Sequence, residues 1–227
     1  MQLALSPRHG DNDGDDPLFL QIAQDLREQG WSVIPNALPG TLAEGLHTQI
    51  LGMGEEQFSP AGVGRSTDFT LNPFVRRDEI LWIEGRTQAE KDWLQWSNRL
   101  RLTLNRRLFL GLFSFESHFA HYPPGAFYRK HVDAFRGNPR KDPTNRVLSV
   151  VAYFNPGWMP EDGGELALYR DEEVEPFLRV TPAFGTLVVF LSEELPHEVK
   201  AANRHRYSIA GWYRVNNSLG NQLDPPR

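Results

Sequence analysis

The 227 residues contain no cysteine, which excludes disulfides and thiolate metal sites and leaves His, Asp and Glu as the strong metal ligands. No apolar run approaches the roughly 20 residues that span a bilayer. The opening MQLALSPRHG has too short an apolar patch for a signal peptide. An excess of positive charge is also missing. Lys and Arg number 24 against 29 Asp and Glu, a formal net charge of −5, so neither a nucleic-acid footprint nor attraction to an anionic membrane is expected. A cytoplasmic protein with no nucleic-acid and no membrane partner is the simplest reading. What is present suits a globular chain with a real core: 40% hydrophobic residues and 11% aromatics, enough for one sizeable domain.

Residues 1–15 read as a flexible polar tail. Its run DNDGDD imitates a calcium loop, but Asp16 holds the glycine position and Ile22 that of the closing glutamate, so the run is a solvated acidic tail. Asp16 and Pro17 open a helix with Leu18, Ile22 and Leu26 on one face, and Gly30 stops it. WSVIPN is a short strand, LPGTLAEGLHTQILG a second helix, 58–70 an irregular loop or loose hairpin, and DEILWIEG a strand. Thr87 and Glu90 form a capping box ahead of a long helix. Its Trp93, Trp96, Leu100, Leu104 and Leu108 recur at helical spacing and belong to packing. After Gly111 come about eight short, β-branched and aromatic strands separated by turns, the pattern of an antiparallel sandwich or jelly roll. The expected architecture is α+β. A helical support over 16–111 braces a jelly-roll core, or double-stranded β-helix, over 112–216, in a single domain ending in a flexible tail over 217–227.

One histidine within this β-rich half invites a functional reading. In YRKHVDAFRG, His131 precedes Asp133 by two residues, and strand alternation points both the same way. His-x-Asp alone is common in solvated loops, so the reading depends on a third ligand. His118 and His121 differ in strand parity, so at most one faces a barrel interior, and each reads as a surface or satisfied core histidine. His205 sits in a charged turn. His197 follows the apolar strand GTLVVFLS and opens HEVKAA, where it can face His131 across the mouth of a jelly roll. Two histidines and one carboxylate are the ligand set of non-heme Fe(II) oxygenases, with positions left open. Nine residues on, Arg206 shares a strand face with Ser208, Ala210 and Trp212. A buried arginine needs a partner, and a dicarboxylate co-substrate would supply one as a two-pronged fork; an edge-strand salt bridge is the competing explanation.

ILWIEG, YRKHVD, AYFN, GGEL, PHEV and RYSIAGWY, in that order, resemble the 2-oxoglutarate and Fe(II)-dependent dioxygenases. Among these the likeness is to the prolyl 4-hydroxylases of the hypoxia-inducible-factor group and their bacterial relatives, and it covers about 30–216. The resemblance implies that His131, Asp133 and His197 bind Fe(II), and that Arg206 holds the far carboxylate of 2-oxoglutarate with Tyr153 beside it. Tyr122 would border the co-substrate and Trp212 would wall the pocket of the target proline. O2 would be the second co-substrate, with ascorbate an optional addition. The segment GRSTDFTLNPFVRRDEILWIEG resembles a mobile finger loop, about 60–80, that folds over a protein substrate; in the bacterial branch that substrate points to a translation factor such as elongation factor Tu. Two departures stand out. The stretch 134–145 is longer than in the animal enzymes, and Ala210 stands where the animal pattern has a hydroxyl residue. Hydroxylation of a free amino acid or other small molecule, a non-catalytic oxygen- or 2-oxoglutarate-sensing module, and a zinc hydrolase are the alternatives; the last leaves Arg206 unexplained.

Overall fold

Asp16 starts the first helix, α1 (Pro17–Gln29), by accepting the Leu18 N–H at 3.1 Å, and Pro17 occupies a position where no helical N–H bond is lost. Gly30 ends it at φ 83°, a left-handed conformation that costs glycine little, and donates its N–H to the Leu26 carbonyl. The buried face is Phe19, Ile22, Ala23 and Leu26, with Leu18 only partly covered. The computed structural model describes residues 16–62, 72, 74–134, 145–170 and 173–216. Both expected tails, the centre of the expected finger loop (63–71) and most of the long stretch after Asp133 (135–144) lie outside them.

Two more helices follow, α2 (Gly40–Gly52) and α3 (Gln88–Leu108). Thr87 caps α3 by accepting the Glu90 N–H at 3.1 Å. The reciprocal half of the expected capping box is absent. The buried Glu90 carboxylate instead turns toward the chain entering the helix, accepting the N–H of Arg86 at 2.8 Å and of Glu84 at 3.3 Å, and Gln49 of α2 at 2.8 Å. Those two backbone donors outbid the helix cap because they would otherwise be left without a partner close to the core.

Among the described residues, eleven strands form two antiparallel sheets. The larger runs β1 (Trp31–Ile34), β9 (Leu187–Leu191), β6 (Arg146–Tyr153), β11 (Arg206–Val215), β4 (Leu112–Tyr122), β3 (Glu79–Trp82) and β2 (Ser59–Pro60). The smaller runs β5 (Tyr128–His131), β10 (His197–Val199), β7 (Leu166–Leu168) and β8 (Leu178–Val180). All eight strands expected after Gly111 are present, and the two sheets with the helices outside make the expected jelly roll. No helix among the described residues is long and apolar enough to cross a membrane.

Strand alternation divides the core in two. Leu148, Val150 and Ala152 of β6, with Ile209 and Tyr213 of β11, pack outward against Trp93, Trp96, Leu100 and Leu104 of α3. Tyr153 of β6 and Ala120 and Tyr122 of β4 face inward with Leu166, Leu168 and Val199 of the smaller sheet. The helices therefore cover the outer face of the large sheet while its inner face is left to line a site. The described part of the expected finger loop is anchored to β5 and the residue before it: Arg77 donates its N–H to the Phe127 carbonyl, and Arg129 donates to Val75, both at 2.9 Å. Glu90→Ala leaves the two inward backbone donors without an acceptor, and is expected to lower unfolding stability by about 2 kcal/mol in urea titration without changing metal binding.

Candidate metal centre and co-substrate pocket

His131 and His197 are directly opposed Cα partners in the β5–β10 ladder. Strand β5 ends at His131, so Asp133 lies in the bend just beyond it rather than on the strand, yet it still points to the same side. Its two carboxylate oxygens are each 3.5 Å from one histidine Nε2. One ligand atom from each of the three residues lies within 4.8 Å of the others.

Backbone carbonyls set the tautomers. His131 Nδ1 is 2.7 Å from the Arg129 carbonyl and His197 Nδ1 is 3.0 Å from that of Leu195, so both Nδ1–H groups donate there and both Nε2 lone pairs face Asp133. Aromatic packing restrains the rings. His131 stacks on Tyr128 at 3.6 Å between centroids, and Phe190 meets His197 edge-on at 4.8 Å. The Ser149 hydroxyl donates to Asp133 at 2.6 Å, which makes Ser192, 2.9 Å from Ser149, the donor in the next link. Burial opposes the Asp133 anion, but His197, His131 and Arg146 outweigh it and hold the carboxyl well below its usual range. Burial, with repulsion from His131, lowers His197 to about 4. An anionic carboxylate and neutral imidazoles are the forms that bind a divalent cation, and a donor set of two nitrogens and an oxygen suits Fe(II).

Arg206 opens β11 opposite Tyr122 and is 1% exposed. Its Nε donates to the Gly164 carbonyl at 2.9 Å and its Nη1 to the Ser208 hydroxyl at 3.3 Å. The guanidinium lies 4.8 Å from the Tyr122 ring centre and 5.0 Å from that of Tyr153. No carboxylate among the described residues pairs with it, and the competing edge-strand salt bridge is not formed. The buried Tyr153 hydroxyl likewise makes no hydrogen bond among the described residues. Burial pushes Tyr153 up to about 12 even with Arg206 beside it, so the hydroxyl remains a donor at neutral pH. A buried cation and an orphaned hydroxyl fit the far carboxylate of 2-oxoglutarate.

Trp212 sits at the other end of the same strand face, opposite Ser149 and thus beside the support of Asp133 rather than beside Arg206. The Arg146 guanidinium lies 3.6 Å from its ring centre and is itself paired with Glu116 at 2.8 Å. The Trp212 Nε1 is buried and without a partner among the described residues. Ala210 lies between His118 on β4 and Val151 on β6.

The other histidines among the described residues lie outside the ligand cluster. His118 has the inward parity and packs against Trp82 and Trp212 at 5.2 and 5.4 Å, while His121 has the outward parity. His121 Nδ1 is 3.1 Å from the Glu79 carboxylate, and its Nε2 is 2.8 Å from His205, which is exposed. Sequence reasoning did not find Ser149, Ser192 or Gly164. The alternation of RVLSVVAY puts Ser149 on the face of Tyr153, but nothing in the sequence says that Asp133 reaches it.

Residues 117–214 match the family model of the 2OG-Fe(II) oxygenase superfamily. The chain belongs to that superfamily, and the jelly roll and the facing His-Asp-His cluster agree with it. Within it, the chain is similar to the prolyl hydroxylases. It is 42% identical to a Pseudomonas putida prolyl-4-hydroxylase of known structure, with a TM-score of 0.77, covering 87% of this chain and 100% of that one. A Trichoplax adhaerens prolyl hydroxylase, solved in complex with a hypoxia-inducible factor oxygen degradation domain peptide fragment, is 29% identical with a TM-score of 0.73, covering 87% and 89%. The Caenorhabditis elegans hypoxia-inducible factor prolyl hydroxylase is 30% identical over 215 residues, 85% of this chain. The chain spans only 27% of the length of that curated relative.

Ser149→Ala removes the hydrogen bond that orients Asp133, and is expected to weaken Fe(II) or Mn(II) affinity by about 10- to 100-fold in a metal titration. A second outcome concerns acid stability. Burial lowers His118 to about 4 from 6.5, so its neutral burial contributes fully above pH 6.5 and is lost as pH falls toward 4. His118→Gln is therefore expected to lose up to about 3 kcal/mol less than wild type across that window in denaturant titrations, with His197 titrating equally in both proteins.

Proposed function

We propose that this chain is a 2-oxoglutarate- and Fe(II)-dependent prolyl 4-hydroxylase acting on a proline within a protein. The observation that carries this reading is the pairing of a three-ligand cluster with a buried arginine that has no carboxylate of its own among the described residues. His131, Asp133 and His197 would hold Fe(II). Arg206 and Tyr153 would hold the far carboxylate of 2-oxoglutarate against the Tyr122 ring. With O2, the bound iron and co-substrate supply the oxidation, releasing succinate and CO2 and placing one oxygen atom on the substrate carbon.

The protein's own contribution is orientation. The carbonyls of Arg129 and Leu195 fix both imidazoles, Ser149 fixes the carboxylate, and the inner aromatic residues exclude water from the anchored end. Trp212, beside the Asp133 support, would form a wall of the prolyl pocket. A protein substrate is favoured by similarity to a hydroxylase that binds a peptide. Elongation factor Tu is the specific substrate we put forward, in the cytoplasm. The single domain over 16–216, with 60–80 closing over the substrate, completes this reading. The presence of all three ligands and the arginine weighs against a non-catalytic module, and Arg206 against a zinc hydrolase.

Succinate should form from 2-oxoglutarate when Fe(II), O2 and purified elongation factor Tu are supplied, and mass spectrometry should find one added oxygen on a proline. His131→Ala should lose iron and turnover together. Arg206→Ala should keep iron and raise the 2-oxoglutarate requirement by about 30-fold or more. Full iron occupancy in His131→Ala would overturn the assignment.

A further inference from the structure

A guanidinium carries five N–H groups in a rigid plane, so the direction it offers a ligand is set by whichever groups are already engaged. In Arg206 one edge is engaged by backbone. Its Nε donates to the carbonyl of Gly164 at 2.9 Å, and Nη1 is steered by Ser208 at 3.3 Å. The Gly164 carbonyl is well placed for this because of an unusual local conformation. Gly163 and Gly164 both have positive φ, 69° and 71°, which reverses the chain just before β7 and lays it against the turn leading into β11. The Gly164 N–H donates to the Ala201 carbonyl at 3.0 Å, and the Trp158 Nε1 donates to Gly163 at 2.9 Å.

The approach leaves no room for a side chain. A Cβ on Gly164 would stand 2.9 Å from the Ala202 Cβ, 3.1 Å from the Arg206 Cδ and 3.3 Å from the Trp158 ring. The first contact bears on the fold, the second on the arginine itself.

We propose that Gly164 is a positioning residue for the co-substrate: its carbonyl and its missing side chain together aim the Arg206 guanidinium at the far carboxylate of a 2-oxo dicarboxylic acid. This rests on Arg206 as the anchor of that carboxylate. The role concerns one end of the ligand only. The other end, which would chelate a metal held by His131, Asp133 and His197, is not expected to sense it.

That asymmetry separates positioning from general damage. Mn(II)-loaded protein is titrated by calorimetry with 2-oxoglutarate and with oxalate, which can chelate the metal but has no far carboxylate. Gly164→Ala is expected to weaken 2-oxoglutarate binding by about tenfold or more while leaving oxalate and Mn(II) affinity unchanged. Because Gly164→Ala also strains the fold, the double variant Gly164→Ala/Ala202→Gly is measured beside it. It removes the Ala202 contact and keeps the Arg206 contact, so the part of the stability lost to that contact should recover, with the strain of a side chain at positive φ remaining, while the selective loss of 2-oxoglutarate persists. A folded variant that binds 2-oxoglutarate like wild type, or a loss shared equally by oxalate, overturns the positioning role. Arg206→Ala with unchanged preference for 2-oxoglutarate over oxalate overturns the anchor reading itself, and the positioning role with it.

Discussion

The register that sets His131 of β5 opposite His197 of β10 is the constraint on which the site depends. Side chains on a strand alternate faces, so a slip of one residue in that ladder would send one imidazole to the outer surface. Each histidine is then locked by the same local device, an Nδ1–H donated to the carbonyl two residues earlier in the chain. The third candidate ligand comes from the bend just after β5, but its orientation is not set there. Asp133 is held by Ser149 and Ser192, which belong to the large sheet and the turn after β9. The cluster therefore exists only when the two sheets are packed together.

The inner face of the large sheet meets opposite charges at its two ends: Asp133, from the bend after β5, at Ser149, and the sheet's own Arg206 near Gly164. Asp133 has the two histidines and Arg146 to favour its charge, whereas Arg206 has no carboxylate partner among the described residues. Burying them costs stability, which the apolar packing of α1 and α3 on the opposite face of the sheet offsets. A cation at one end and a carboxylate at the other would relieve that cost, so the fold is arranged in advance for a ligand that bridges the two. The same physics explains why the polar groups nearest the site, the Tyr153 hydroxyl and the Trp212 Nε1, are left unsatisfied.

Much of this was legible in the residues. Asp16-Pro17 and Gly30 bound the first helix because capping chemistry is local, and the tryptophan and leucine spacing of α3 predicted its buried face. The strands after Gly111 were readable from alternation and turn residues. Where local signals were ambiguous, the chain decided otherwise. Glu90 abandoned the capping box for two backbone donors that only the folded chain brings near, and Leu18 gave its place in the core to Phe19. His118 and His121 could be separated by parity, but not assigned to a face until β4 had neighbours.

The order and spacing of residues determined by themselves which elements form, which side chains share a strand face, and that His131, Asp133, His197 and Arg206 are the groups with the chemistry for a metal and a dicarboxylate. Those are properties of local periodicity and of functional groups. Tertiary structure alone decided that Ser149 reaches Asp133, that the Gly164 carbonyl meets the Arg206 Nε across a gap of 42 residues, and that no carboxylate among the described residues approaches that arginine. Contacts of this kind depend on loop paths and sheet packing, and a one-dimensional pattern carries no distance between residues that are far apart in the chain.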